Sequence, residues 1–177
     1  SIDVSQIRIE TPRLILRPWA LSDLNDLYEY ASVPGVGEMA GWQHHQTKEE
    51  SQSILERFQK GNKTLALQLK ENGKVIGSLG LEEMDADPFP EKLGRESGYV
   101  LSKDYWGRGL MPEAVQAVIH YCFHTLHYDF LTCGHFVQNN QSRRVIEKCG
   151  FSFFAESKYE TRYDTVETSR NYILYNK

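Results

Sequence analysis

The sequence has no long apolar run, few cysteines and no excess of basic residues, and each lack argues against a class of protein. No stretch approaches the roughly 20 apolar residues that span a bilayer, and the first ten residues show neither the basic nor the apolar region of a secretion signal. The three cysteines are odd in number and widely spaced, which predicts reduced thiols and no disulfide framework. Together these features predict a soluble, cytoplasmic protein without a membrane partner.

The charge balance argues against a nucleic-acid partner. Lysine and arginine number 20 and the acidic residues 24, which gives a formal net charge of −4. Affinity for nucleic acid depends on many Lys and Arg contacts to phosphate. We therefore expect no nucleic-acid binding, while a local patch for one small anionic ligand remains compatible with this balance.

Length and pattern predict one domain over residues 1–177, without repeats or low-complexity segments. Residues 85–94, with two prolines, are interpreted as a surface loop. Apolar periodicity predicts the order β-α-α-β-β-β-α-β-α-β-β, with helices capped by Ser22 and by Thr47 and a hairpin that turns at Asn72–Gly73. Strands interrupted by single helices predict an α/β fold, a mixed sheet with helices on its faces.

A glycine-rich loop precedes the third predicted helix. Gly107 and Gly109 bracket Arg108, and Pro112 stands just before the amphipathic segment EAVQAVIHYCF. Free N–H groups at a helix start, with the helix dipole, favour phosphate, but such turns are also common for steric reasons alone. The loop lacks the Lys of a Walker motif, and Pro112 stands where a dinucleotide fingerprint needs glycine.

Two longer motifs surround this loop and carry a resemblance. The segment ESGYVLSKDYWGRGLMPEAV, followed some 25 residues later by NNQSRRVIEKCGF, resembles the paired cofactor motifs of the GNAT acetyltransferase superfamily, and in particular its RimJ/RimL-like branch. The early segment TPRLILRPWALSDLNDLYEY is similar to that branch's first strand and acidic helix. The likeness covers nearly the whole chain. It implies a single GNAT domain whose mixed, mostly antiparallel sheet has about seven strands and about four flanking helices.

The resemblance implies a donor site for acetyl-CoA, as a cosubstrate, and no metal. Backbone amides of the loop would wrap the pyrophosphate, and the preceding strand would hold the pantetheine arm as an added strand. Pro112 cannot donate to this site, and Met111 stands where many relatives have Gly or Ala. The implied cofactor-binding residues are Tyr99, Val100, Leu101, Trp106, Gly107, Arg108, Gly109, Leu110, Met111 and Asn139.

The resemblance also implies two catalytic residues. Glu96 is the implied base, acting directly with help from burial or through a water, and a solvated strand residue is the alternative interpretation. Ile146 replaces the tyrosine that many relatives use as the acid, so Ser142 takes the acid role. Asn139 and Ser142 are equally consistent with a helix cap. An N–H within residues 100–101 would polarise the thioester carbonyl.

The implied function is acetyl transfer to a primary amine in a ternary complex, without a covalent enzyme intermediate. The acceptor is left open between a peptide N-terminus and a small molecule, and a non-catalytic acyl-CoA-binding or regulatory module is the alternative. Residues 33–46 and 85–94, with Tyr159 and Tyr163, are expected to shape the acceptor pocket. His120, His124 and His127 share a helical face but are interpreted as exposed or satisfied residues, and a homodimer through the last strands is considered.

Overall fold

A computed structural model describes residues 2–84 and 89–177. Within these ranges the strands, β1 to β8 in chain order, are Ile9–Glu10, Leu14–Pro18, Thr64–Leu69, Val75–Glu82, Gly94–Leu101, Phe130–Phe136, Ser152–Glu160 and Val166–Tyr175. The α-helices, α1 to α4, are Leu24–Ala31, Lys48–Gly61, Leu110–His124 and Asn140–Lys148. Part of the predicted loop at 85–94, residues 85–88, lies outside the described residues.

The strands form one eight-stranded sheet with the order β1-β2-β3-β4-β5-β6-β8-β7. β5 and β6 pair in parallel, and the other neighbouring strands pair antiparallel. The predicted mixed, mostly antiparallel sheet is therefore confirmed, and the eighth strand is the two-residue β1, which is too short to leave an alternating pattern. Across residues 2–84 and 89–177, no helix has the length and apolar character that crossing a membrane requires.

Both faces of the sheet carry helices, because alternate strand residues point to opposite faces. Leu65, Leu67 and Leu69 of β3 belong to the larger core cluster, which includes buried residues of α3 and α4. Ala66, between them, belongs to a smaller cluster that contains Leu27 of α1 and Leu55 of α2. The first two helices therefore cover one face, and the last two cover the other.

Short-range signals explain most element boundaries. Thr47 caps α2 by accepting a hydrogen bond from the N–H of Glu50 at 3.2 Å, as predicted. The β3–β4 hairpin turns at Asn72–Gly73, where Gly73 has a φ of +75°.

The predicted cap at Ser22 is wrong. Ser22 lies within a short 3-10 turn, and Asp23 is the residue at the N-cap of α1. The Asp23 carboxylate is held in a bidentate pair by Arg17, at 2.9 Å for each bond, and it accepts from the N–H of Ala20 at 2.8 Å. A buried ion pair between β2 and the turn therefore sets where this helix begins.

The parallel pair β5–β6 is incomplete, and this feature creates the site. Its register runs from Gly94–Phe130 to Ser97–Cys133 and no further among the described residues. The second half of β5, residues 98–101, remains paired with β4 on its other edge. The two parallel strands therefore diverge, and the free edge of β5 faces a gap in the middle of the sheet.

Candidate active site

A cavity of about 680 Å³ occupies the gap between β5 and β6. Its walls include the diverging ends of both strands, the start of α3, the first turn of α4 and part of β7. One end is lined by Leu101, Trp106 and Met111, next to the glycine loop, and residues of the opposite end include Met39 and Glu82. Clefts of this size, a few hundred Å³, suit a small-molecule ligand.

The loop at 107–109 reaches the start of α3 through two left-handed residues. Gly107 and Gly109 have φ values of +75° and +76°, a region that costs other L-residues roughly 1–2 kcal/mol. Gly109 is the N-cap of α3, and the side chains of Leu110 and Met111 are buried in the core. The start of the helix is thus anchored by apolar packing, and its amides remain at the loop.

The backbone N–H groups of residues 107–111 are available to a ligand. Among the described residues, none of them donates to another backbone group outside the helices, and the first four N–H groups of a helix have no partner within it. Arg108 lies between these amides, with its guanidinium 5.0 Å from the ring centroid of Tyr105. Several amides, the helix dipole and one cation therefore converge where a phosphate would be stabilised.

The free edge of β5 presents a defined set of backbone groups. Beyond the end of β5, the N–H of Ser102 donates to the carbonyl of Ile76 at 2.7 Å. Because alternate residues of an antiparallel strand bond to opposite edges, the N–H of Val100 faces β4, whereas those of Tyr99 and Leu101 face the gap. Of the three predicted strand residues, Tyr99 and Leu101 therefore offer N–H groups to the cavity, and Val100 does not. The Leu101 carbonyl is already occupied, because it accepts from the indole N–H of Trp106 at 2.8 Å.

Asn139 and Ser142 lie together at the start of α4. The Asn139 side-chain oxygen accepts from the Ser142 N–H at 3.1 Å, which makes Asn139 the helix N-cap. The capping interpretation is therefore correct for Asn139, and its NH₂ group can still donate to a ligand, because an Asn side chain has both a donor and an acceptor end. Both residues line the cavity.

A contact absent from the sequence interpretation joins β5 to α4. The Tyr99 hydroxyl lies 2.7 Å from the Ser142 hydroxyl and 3.2 Å from the Ser142 carbonyl. Burial raises the pKa of Tyr99 well above its usual range, so its hydroxyl stays protonated at neutral pH. The two residues are 43 positions apart in the sequence, and no local pattern announces their contact.

Glu96 lies on the opposite face of β5 from Tyr99 and lines the same cavity. Its side chain is exposed, so the predicted assistance from burial is absent. Its register partners are Glu82 on β4 and Thr132 on β6. Two carboxylates and a hydroxyl therefore occupy adjacent strands at one point of the sheet.

Two buried hydroxyls of the cavity wall were missed by the sequence interpretation. Ser97 is 3% exposed and Thr132 is 4% exposed, and neither side-chain oxygen has a hydrogen-bond partner of good geometry among the described residues. A buried polar group without a partner is costly. Both residues line the cavity, with their oxygens turned into the wall. Burial raises the pKa of the Cys133 thiol, and Ser97 lies close enough to that thiol to oppose part of this rise through a hydrogen bond. A Ser or Thr within an apolar strand gives no signal of this kind in the sequence.

The end of the cavity opposite the glycine loop, where the sequence predicts the acceptor pocket (the acceptor end), is acidic. Among the described lining residues the acidic ones are Glu82, Glu83, Glu96 and Glu156, and the basic one is Lys158. Arg170 pairs with Glu156 at 2.7 Å, and Arg95 lies 4.0 Å from Glu83. The four carboxylates make this end of the cavity acidic, whereas the other end borders the amide-rich glycine loop.

Part of the segment before α2 lines the acceptor end, and its role toward an acceptor stays a prediction. Val36, Met39 and Ala40 line the cavity, whereas His44 and His45 are not among its described lining residues. The ring of His44 bonds to Glu38 at 2.9 Å, and the buried ring of His45 bonds to Ser51 at 2.7 Å.

The last hairpin also contributes to the acceptor end. Tyr159 lines the cavity and packs its ring against that of Phe136, with centroids 5.5 Å apart. The Tyr163 hydroxyl donates to the Glu38 carbonyl at 2.9 Å. Of the two predicted tyrosines, one therefore lines the site and the other braces the segment that does.

The three thiols are poorly suited to nucleophilic catalysis. Burial raises the pKa of Cys122 and of Cys133 to about 12 and that of Cys149 to about 11. Only the thiolate is a good nucleophile. Cys133 lines the cavity, but at neutral pH it is a neutral, apolar wall residue.

Comparison with known proteins identifies the family. A model of the acetyltransferase (GNAT) domain family matches residues 13–152, and the chain belongs to this family. It is 29% identical over 147 residues to an uncharacterized N-acetyltransferase, p20, of Bacillus licheniformis, with 80% of each chain covered. The predicted family is therefore confirmed.

Solved structures share the fold. The TM-score is 0.82 to an acetyltransferase of the GNAT family from Bacillus anthracis, at 21% identity with 96% of this chain and 99% of that chain covered. The TM-score to the ribosomal-protein-S5-alanine acetyltransferase of Vibrio fischeri is 0.75, at 20% identity with 97% of this chain and 98% of that chain covered. The TM-score to the microcin C7 self-immunity acetyltransferase MccE, solved with acetyl-CoA and AMP, is 0.72, at 17% identity with 93% of both chains covered. The predicted GNAT fold is confirmed.

Proposed function

We propose that this protein transfers the acetyl group of acetyl-CoA to a primary amine by direct attack in a ternary complex. The observation that carries the proposal is the cavity between β5 and β6, which borders the amide-rich loop at Trp106 and Met111 and is rich in carboxylates at its other end. An anionic donor and a cationic acceptor can bind there at the same time. Holding both reactants in one site supplies much of the rate enhancement of such a reaction.

The donor half of the proposal depends on the main chain. The amides of residues 107–111 would hold the pyrophosphate, and the open edge of β5 would hold the pantetheine as an added strand. Acetyl-CoA supplies an activated acetyl group as a thioester. Of the two N–H groups that face the gap, that of Tyr99 lies nearer to Glu96, whereas that of Leu101 is roughly 17 Å from Glu96 along the strand. We therefore assign the polarisation of the carbonyl to the N–H of Tyr99, in place of the predicted residues 100–101.

The acceptor half depends on side chains. A primary amine is protonated at neutral pH, and carboxylates at Glu82 and Glu96 attract and orient it. This acidity supports an amine acceptor in general, and we carry forward both a peptide N-terminus and a small-molecule amine.

The proton steps use residues at both sides of the cavity. Glu96, directly or through a water bound near Thr132, takes a proton from the amine, whose nitrogen then bonds to the carbonyl carbon. As the carbon–sulfur bond breaks, the Ser142 hydroxyl gives its proton to the departing sulfur, and the second proton of the nitrogen restores the serine hydroxyl through solvent. Glu96 then releases its proton to solvent. The raised pKa values of the thiols support transfer without a cysteine intermediate.

The second candidate function is a non-catalytic acyl-CoA-binding or regulatory module. It is favoured by Ile146, which is 1% exposed and packs in the core where many relatives carry a tyrosine. A site that binds the donor without a competent acid would hold acyl-CoA and not turn over. We propose in either case a metal-free cytoplasmic protein with one domain over residues 1–177, and a homodimer through β7 and β8 stays a prediction.

The decisive experiment measures donor binding and turnover separately. Binding of CoA and of acetyl-CoA is followed by calorimetry. Release of free thiol is then followed with acetyl-CoA and a panel of peptides with free N-termini, monoamines and polyamines. We expect binding of both CoA compounds and thiol release with at least one amine.

The outcomes separate the candidates. Binding with no turnover on any acceptor supports the binding module, and no binding at all contradicts both candidates. Glu96→Gln tests the base, with Glu71→Gln as the matched control, because Glu71 is exposed in the β3–β4 turn far along the chain from the site. Unchanged turnover in Glu96→Gln would remove Glu96 from the mechanism.

A further inference from the structure

We propose that Arg13 is a positioning residue that holds the glycine loop in its phosphate-binding conformation, acting with Thr11 and Glu113. The inference rests on the proposed donor site and extends it to a part of the chain that touches no reacting atom. Thr11 and Arg13 precede β2, about 100 residues before the loop. Their contacts, and no motif in the loop itself, determine the direction of one of its peptide groups.

Glu113, in the first turn of α3, is the centre of this arrangement. Its Oε2 accepts from the Thr11 hydroxyl at 2.6 Å and from the Arg13 N–H at 2.9 Å. Its Oε1 accepts from Nε of Arg13 at 2.9 Å. Three donors from one short segment therefore bind a single carboxylate, whose side chain is 17% exposed.

The same guanidinium also reaches the loop. Nη1 of Arg13 donates to the carbonyl of Arg108 at 2.9 Å. A Cβ added at Gly109 would lie 3.5 Å from Nη2 of Arg13, so the guanidinium packs against the loop backbone. The planar fork of arginine allows one side chain to bind Glu113 and Arg108 at once, which the single ammonium of lysine does poorly.

The bond to Arg108 determines where a loop amide points. In a trans peptide the C=O and the following N–H point in opposite directions, and no cis peptide occurs among the described residues. Because the Arg108 carbonyl points to Arg13, the N–H of Gly109 points away from it. Without this contact, the peptide that joins Arg108 to Gly109 is free to rotate, since the glycine on its C-terminal side allows both signs of φ.

The electrostatics agree with a preformed arrangement. Burial alone would raise the pKa of Glu113, but hydrogen bonds from Thr11 and Arg13 outweigh it and hold the pKa below its usual value. The carboxylate is therefore charged at neutral pH. Its charge also suits the first turn of a helix, where the dipole favours anions.

The test compares two acetyl donors in the full-length protein. Acetyl-CoA contains the pyrophosphate, and S-acetylpantetheine has the same thioester and pantetheine without it. For Arg13→Gln we expect KM for acetyl-CoA and Kd for CoA to rise on the order of tenfold, the effect of losing one charge-assisted hydrogen bond. We expect kcat/KM for S-acetylpantetheine to change less than about twofold, because that donor does not use the loop.

Controls keep the outcome decisive. Arg8→Gln removes another N-terminal cation, whose partner among the described residues is the exposed Glu10 at 3.5 Å, and this variant should bind CoA like the unchanged protein. Arg13→Lys keeps the charge and should also weaken CoA, which covers the case that Arg13→Gln does not fold. Equal losses with both donors, or unchanged CoA binding in both Arg13 variants, would overturn the inference. Failure of the unchanged protein to bind CoA would instead reject the proposed donor site.

Discussion

Tyr99 places a phenol beside Ser142, at the start of the helix in which Ile146 replaces the tyrosine of many relatives. The Tyr99 hydroxyl lies 2.7 Å from the Ser142 hydroxyl, and either oxygen can donate in this contact. Donation from Tyr99 to the serine oxygen is the direction that suits an acid role for Ser142. A hydrogen bond in this direction leaves the Ser142 proton for another acceptor, such as the departing sulfur. It also stabilises the serine oxygen as it loses that proton.

We therefore predict that Ser142→Ala lowers kcat by about 100-fold, the lower range for removing a general acid, with KM for acetyl-CoA nearly unchanged. Tyr99→Phe should lower kcat by a smaller factor, about fivefold, because it removes the orienting hydrogen bond and not the acid. Steady-state thiol release measures both. Ser53→Ala, which changes an exposed serine of α2, is the matched control. If Ser142→Ala retains full kcat, another group or water protonates the sulfur.

At the scale of elements, the connection between β5 and α3 depends on glycine geometry. Gly109 and Gly107 have left-handed φ values of +76° and +75°. A Cβ added at Gly107 meets nothing within 4 Å, and at Gly109 its closest contact is an ordinary 3.5 Å. The cost of a side chain at either residue is therefore conformational and not steric.

From this geometry we predict that Gly109→Ala raises KM for acetyl-CoA severalfold and lowers the free energy of unfolding by about 1–2 kcal/mol. Gly107→Ala should behave similarly. Gly61→Ala is the control, since Gly61 lies at the end of α2 without a left-handed φ and with no atom within 4 Å of an added Cβ. Urea unfolding and donor kinetics test the three variants. Normal CoA affinity in Gly109→Ala would show that the loop tolerates a right-handed conformation.

Elements with short-range signals could be predicted from the sequence. The β3–β4 hairpin follows from the alternation of Leu65, Leu67 and Leu69 and from the turn at Asn72–Gly73. The cap at Thr47 follows from an interaction between residues three apart. Such features depend on residues that are close together in the sequence, so the sequence alone is enough to predict them.

The remaining parts of the site depend on distant contacts. The Arg17–Asp23 pair displaced the cap expected at Ser22, because an ion pair with good geometry outweighs a single capping hydroxyl. The role of Glu96 was inferred from a family resemblance, and of the two interpretations of its environment the solvent-exposed one agrees with the structure. The unpaired hydroxyl of Thr132 results from the divergence of β5 and β6, which no local pattern encodes.

At the scale of the whole molecule, Glu38 connects acid stability to the acceptor end. Its carboxylate accepts from the N–H groups of Gly35 and His44 and bonds to the His44 ring, at 2.9 to 3.0 Å. Burial alone would raise the pKa of Glu38, but these hydrogen bonds outweigh it and lower the pKa from 4.5 to about 2. A carboxylate whose pKa is lower in the folded state than in the unfolded state stabilises the fold at pH values above its unfolded-state pKa.

We predict that this stabilisation is complete above about pH 5 and is lost as pH falls from about 4.5 toward 2. Glu38→Gln should therefore be less stable than the unchanged protein near neutral pH, and the difference should shrink on acidification. Urea unfolding followed by circular dichroism, at several pH values between about 7 and 3, measures it. Glu71→Gln is the exposed control. A constant difference across this range would mean that Glu38 acts through its shape and not its charge.

The divergence of β5 and β6 gives the cavity one wall of backbone groups, which substitutions leave in place, and one end of side chains, which substitutions change. Hydrogen bonds from the N–H groups of Tyr99 and Leu101 do not depend on side-chain identity, and neither do those of the loop at 107–109. The acceptor end, by contrast, is made by side chains such as Met39 and Glu82. Under the proposed function, substitutions there would change which amine is accepted while the donor site is kept, so acceptor choice would evolve independently of the cosubstrate.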